Sequence, residues 1–171
     1  TQPSGAVNGV AFTQQPVIRI VDSGGNTVTN STVNVVATIA SGTGTLSGTT
    51  TVAAVSGVAT FTNLVITGTA GNFTLTFTPT ALTAVTSASF ALTFGAATAS
   101  AITTQPSGAV NGVAFTTQPV VRIIDASGNT VTNSTVNVVA TIATGTGTLS
   151  GTTTVAAVSG VATFTNLVIT G

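Results

Sequence analysis

The sequence predicts an all-β chain built as tandem antiparallel β-sandwiches, and three observations carry that prediction. The chain repeats itself: residues 104–171 align with residues 1–68 without a gap and differ at six of the 68 positions. The period of 103 residues matches one sandwich domain of about 100 residues. Apolar residues alternate with polar ones along short runs, and none recurs at helical spacing. Threonine supplies 40 of 171 residues, and with Val, Ile and Phe it makes a strand-prone composition. Low-complexity disorder, the rival for a Thr/Ala/Gly-rich chain, is disfavoured by the alternation and by a hydrophobic fraction of 43%.

The six differences between copies are Gln14/Thr117, Ile18/Val121, Val21/Ile124, Ser23/Ala126, Gly24/Ser127 and Ser41/Thr144. Two exchange one β-branched residue for another, which a packed strand tolerates. Two more fall on a Gly/Ser-rich turn. The first unit is expected over residues 1–98, its first strand cut short, and the second over 99–171, its last strands absent. With no initiator Met and no signal peptide, about 1.7 units of a longer array are expected.

Taken in order, Thr1–Pro3 reads as the end of a first strand, whose start is visible in the second copy at Ser100–Thr103. Ser4-Gly5 and Asn8-Gly9 are turn signals, and Gly9–Phe12 is a short extended piece. Pro16 permits a strand start but no central ladder position. Val17–Asp22 is the first strong strand, with Ile18 and Ile20 on one face and Arg19 at the solvent side of the other. Asp22–Asn26 is a turn whose carboxylate caps backbone N–H groups. Over 31–40, Val33, Val35, Ala37 and Ile39 point inward, and Asn34, Val36, Thr38 and Ala40 outward. A short strand surrounds Leu46. Thr50–Val55 and Gly57–Thr62 are extended runs broken at Ser56-Gly57. Phe61 is the expected core anchor, joined by Leu64 and Ile66 after a register change near Asn63. Ala70–Asn72 turns the chain. Phe73, Leu75 and Phe77 then alternate with Thr74, Thr76 and Thr78, the clearest period-two signal present. Pro79 ends that run. Ser87–Phe94 is the last strand, and Gly95–Thr98 links to the second unit. Seven to nine short strands per unit are therefore expected. Six or more inward apolar side chains per sheet face, at roughly 1.5–3 kcal/mol each, make a core that can stand alone.

These segments, in the order Asp22–Val28, Gly44–Thr50, Gly57–Leu64 and Ala70–Phe77, resemble bacterial Ig-like tandem repeats of the invasin/intimin type. The second copy carries Asp125–Val131, Gly147–Thr153 and Gly160–Leu167 and lacks the last piece. The resemblance implies Ig-like sandwiches in tandem, located extracellularly at the cell surface and acting as stalk, adhesin or fibre. It implies further that a cell-surface or carbohydrate ligand would be met by a distal tip domain outside these residues. The chain departs from such repeats in being nearly free of charge.

Only 2% of residues are charged: two Lys or Arg and two Asp or Glu, with no His. No basic patch exists for phosphates, so no nucleic-acid partner is expected. Thr, Ser, Asn and Gly interrupt every apolar stretch, so no membrane span is expected either. His, Cys, Lys, Glu and Tyr are all absent, and one Asp with one Arg per unit cannot form a tuned acid/base pair. The chain is read as non-enzymatic and without cofactors. Asp22 and Asp125 are weak calcium candidates, since each could add nearby turn carbonyls to its carboxylate; a self-capped turn is the plainer reading. Asn30, Asn72 and Asn133 stand in sequons and are candidate glycosylation sites, while exposed Thr could carry O-linked sugars instead. Thr74, Thr76 and Thr78 in one row suggest an ice-binding surface, against cross-strand Thr pairing as the plain reading.

Sheets guard their edges with Lys, inward charges or Pro, and this chain has almost no charge to do so. A nearly neutral surface tends to associate. The partners expected are therefore copies of itself, through lateral packing or through a strand of one unit completing its neighbour. The function expected is that of a subunit in a self-associating surface filament, fibre or sheath. The alternative is a monomeric stalk of an adhesin.

Overall fold

In the computed structural model, which describes all 171 residues, every regular element is a β-strand. The chain divides into two units, Thr1–Gly95 and Ala96–Gly171. Unit 1 holds β1 (Ala6–Val7), β2 (Val17–Arg19), β3 (Asn34–Ser41), β4 (Gly44–Ser47), β5 (Thr51–Ala53), β6 (Val58–Thr60), β7 (Val65–Gly68), β8 (Gly71–Pro79), β9 (Val85–Thr86) and β10 (Phe90–Thr93). Unit 2 holds β11 (Ala99–Thr104), β12 (Val120–Ile124), β13 (Asn137–Val139), β14 (Thr148–Ser150), β15 (Thr154–Ala156), β16 (Val161–Thr163) and β17 (Val168–Thr170).

The layers of unit 1 follow from the alternation. One sheet runs β1-β10-β8-β3-β5, with β9 beside β8. Its neighbours are antiparallel except β1, which lies parallel to β10. The pairs β2-β6 and β4-β7 form the other strands. In β8, Phe73, Leu75, Phe77 and Pro79 are buried, while the threonines between them are half-buried or exposed. In β3, Val35 and Ala37 are buried, and Asn34, Val36 and Thr38 exposed. These rows meet Ile20, Ala59, Phe61, Leu64 and Ile66 in one core. The rings of Phe61 and Phe77 lie 5.5 Å apart, and Phe12 meets Phe90 edge-on at 5.5 Å. Each such buried aromatic or aliphatic side chain contributes roughly 1.5–3 kcal/mol, and aromatic pairs at this spacing add about 0.5–1.5 kcal/mol.

Several element bounds differ from the expectation. Unit 1 has ten strands, because β1 and β9, at two residues each, are too short for a period to show. The strand expected at Val17–Asp22 covers Val17–Arg19. Beyond it Ile20 donates its N–H to Gly57 O at 2.8 Å, and Asp22 enters its turn. Thr1–Pro3 forms no strand; Thr1 alone exchanges two hydrogen bonds with Val17. Gly71 and Asn72 belong to β8 rather than to a turn, lying opposite Leu92 and Ala91.

The two units place nearly the same sequence in different surroundings. Ala96–Gly171 includes no counterpart of β8, β9 or β10. Beside β8, β3 runs eight residues; its counterpart β13 keeps three. In the other direction, β12 runs five residues with β11 along one side and β16 along the other. Its counterpart β2 has one strand partner and keeps three residues.

Candidate functional site

One concave feature belongs to unit 2 and follows from that contrast. Without a strand corresponding to β8, the inner faces of β13 and of residues 140–144 stay open. The result is an apolar groove of about 500 Å³. Val138, Ala140, Ile142, Leu149, Phe164 and Leu167 line it. They are the counterparts of Val35, Ala37, Ile39, Leu46, Phe61 and Leu64, all part of the core of unit 1. Phe164 and Leu167 remain buried at the groove floor, whereas Val138 and Ala140 are half-exposed where Val35 and Ala37 are closed off. One side of β13 is paired to β15; the other has no strand along it. No charged residue lines the groove. These are core positions of unit 2, described without a counterpart of β8 over them.

Asp22 and Asp125 sit in matching turns. Asp22 Oδ1 accepts from the N–H groups of Gly24 and Asn26, both at 2.9 Å, and the Asn26 side-chain amide reaches both carboxylate oxygens. Asp125 accepts in the same way from Ser127, Asn129 and the Asn129 side chain. These bonds, above all those from the Asn26 backbone and side chain, hold the exposed Asp22 carboxyl below its ordinary value of 3.8. Both carboxylates face N–H donors, so a cation placed on them would have to displace those bonds. The three sequon asparagines, Asn30, Asn72 and Asn133, are all exposed. Asn30 and Asn133 lie in turns, and Asn72 on β8. Nothing brings the Asp and Asn candidates of one unit together into a single site; they occupy separate turns and a strand.

The sequence reading missed Gln15. Its side-chain amide accepts from Leu64 N at 3.0 Å and donates to Leu64 O at 3.1 Å, so a side chain stands in for a strand rung. Gln118 repeats this with Leu167 at 3.0 and 3.2 Å. A signal was present: Gln14 becomes Thr117 in the second copy while its neighbour Gln15 stays Gln118. Asn63 and Asn166 act similarly, each accepting from a loop N–H at 2.8 Å.

No family model matches the chain, and no curated protein matches it with significance. Among solved structures, the D0-D1 domain of Intimin aligns over 98% of this chain and 81% of its own, at 18% identity and a TM-score of 0.40. A likeness of that size carries no argument about function.

Proposed function

We propose that the chain is a length of an extracellular, surface-borne structural protein whose tandem Ig-like sandwiches associate with copies of themselves into a filament, fibre or sheath. The observation that carries this reading is the near absence of charge, two basic and two acidic side chains in 171 residues, to guard the sheet edges. Edges of soluble sheets are kept apart by charge, proline or a covering element. Here β5 ends the large sheet of unit 1 with no ionisable side chain on it, and Val55 just beyond it is 75% exposed. A second reading, a monomeric stalk that holds an adhesive domain away from a surface, is favoured by the near-identity of the two consecutive units.

Sedimentation velocity at rising protein concentration, with electron microscopy of the same samples, tests the choice. Ordered, elongated assemblies that grow with concentration are expected. A single sedimenting species of one chain at every concentration, seen as separate beaded particles, overturns the filament and leaves the stalk.

A further inference from the structure

One turn has the same form in both units and is exposed in both. In unit 1 the Ser31 N–H donates to Val28 O at 2.9 Å, and in unit 2 the Ser134 N–H donates to Val131 O at 2.9 Å. Asn30 and Asn133 are the third residues of these turns, and each opens an Asn-Ser-Thr sequon. Asn30, Thr32, Asn133 and Thr135 are exposed, and no hydrogen bond engages their side chains. That exposure does not depend on which flanking strands are present. Unit 1 holds β8, β9 and β10, unit 2 holds β11, and the turn is open in each. The turn is tied to a hairpin tip: Gly57 N–H donates to Ser31 O at 3.1 Å, and Gly160 N–H to Ser134 O at 3.2 Å. The two tips carry Val55 and Val158, 75% and 74% exposed. The third sequon is built differently. Asn72 lies inside β8, opposite Ala91. Phe73 beside it is 1% exposed, and the Thr74 hydroxyl shares a hydrogen bond with the Ser41 hydroxyl at 2.8 Å.

We propose that the turn asparagine of each unit, Asn30 and Asn133, is an N-glycosylation site of the folded chain, and that Asn72 is not. The co-substrate is an oligosaccharide carried on a polyprenyl diphosphate. The side-chain amide nitrogen forms a bond to the anomeric carbon of the sugar. The bond from that carbon to the diphosphate oxygen breaks, the diphosphate leaves with the electron pair, and one amide proton passes to a base of the transferase. The transferase must grasp the asparagine amide and the hydroxyl two residues on together. At the turn both groups stand free in solvent. On β8 the same grasp would have to lift Asn72 from β10, draw Phe73 out of the core and break the Thr74–Ser41 bond. A sugar chain is bulky and hydrated. At the turn it supplies, beside the tips that carry Val55 and Val158, the solvation that the missing charge does not. The modification goes beyond the self-association reading and does not rest on it.

The test is tandem mass spectrometry of peptides from the chain purified from the cells that make it, and from variants expressed in those cells. Sugar on the peptides holding Asn30 and Asn133, with Asn72 bare, is the expected result. Thr32→Ala should abolish addition at Asn30 and leave Asn133 modified, while Thr32→Ser should keep both modified. Each substitution falls on an exposed side chain, so the fold is retained. Bare asparagine at both Asn30 and Asn133 overturns the proposal. Equal occupancy at Asn72 overturns it as well, because the turn would then confer no selection. So does sugar that persists on the Asn30 peptide of the Thr32→Ala chain, since it would be linked to a hydroxyl instead. Sedimentation scores assembly separately: chains that carry both sugars and stay single at every concentration would sink the proposed function alone.

Discussion

At the scale of single residues, polar side chains here replace backbone rungs where strands end. Asp22 is the one whose role depends on pH. Its folded value lies below 3.8 because N–H groups of Asn26, Gly24 and Gly25 favour the ionised form. A lowered folded value means that the unfolded chain binds the proton more readily. The stabilisation is therefore complete above 3.8 and drains away as pH falls through the lowered value. An acid titration by NMR should show the Gly24 and Asn26 amide shifts moving together below 3.8, and Asp22→Asn should abolish that step. A step centred above 3.8 would contradict the assignment. Gln15 carries a larger load without titrating. Gln15→Ala leaves Leu64 N–H without its side-chain acceptor, and a buried unpaired donor costs about 1–3 kcal/mol. Chemical denaturation should show that loss, and a change within error would mean that water replaces the amide. The Asp22 turn was legible in the sequence, because an Asp followed closely by two glycines and an Asn states its own hydrogen bonds. The Gln15 clip was not, because its partner Leu64 lies 49 positions away and only folding brings them together.

At the scale of elements, matching residues form an eight-residue strand in β3 and a three-residue strand in β13. Local preference cannot explain this, since the two sequences agree up to position 144; the strand alongside decides. Alternation told which side chains of residues 31–40 face inward, and the burial of Val35 and Ala37 agrees. What alternation could not tell was where pairing stops, because a ladder ends where its neighbour ends. It also could not find β1 or β9, which exist as partners of β10 and β8 rather than by their own pattern. Glycine substitutions read the same distinction. Gly42 and Gly145 share a positive φ, 104° and 98°, so alanine is strained at both. Gly42→Ala adds a collision with the Phe73 ring that Gly145→Ala lacks. Unit 1 should therefore lose more stability from its substitution than unit 2 from its own, by about 1–3 kcal/mol of overpacking. Equal losses, measured by unit-resolved hydrogen exchange, would place β8 elsewhere than over Gly42.

At the scale of the whole molecule, core closure and edge protection have separable consequences. The core argument concerns stability. Val35, Ala37 and Ile66 are closed off in unit 1, while their counterparts Val138, Ala140 and Ile169 are partly open in unit 2. Hydrophobic stabilisation scales with the area removed from water. Unit 2 should unfold first, giving two calorimetric transitions rather than one. The edge argument concerns association. Val55 is 75% exposed just beyond β5, the outer strand of the large sheet, so Val55→Lys removes little packing and places a charge where another sheet would approach. Lysine at an edge opposes sheet-to-sheet pairing, and surface substitutions away from special features shift stability by about 0.5 kcal/mol or less. The substitution should suppress concentration-dependent assembly in sedimentation while leaving both calorimetric transitions in place. If assembly of the Val55→Lys chain persists unchanged, the contact lies elsewhere, on the outward threonine and valine faces, and the β5 edge is irrelevant to it. If assembly and a calorimetric transition vanish together, Val55 is part of what keeps unit 1 folded, and the loss of association follows from unfolding rather than from the charge at the edge.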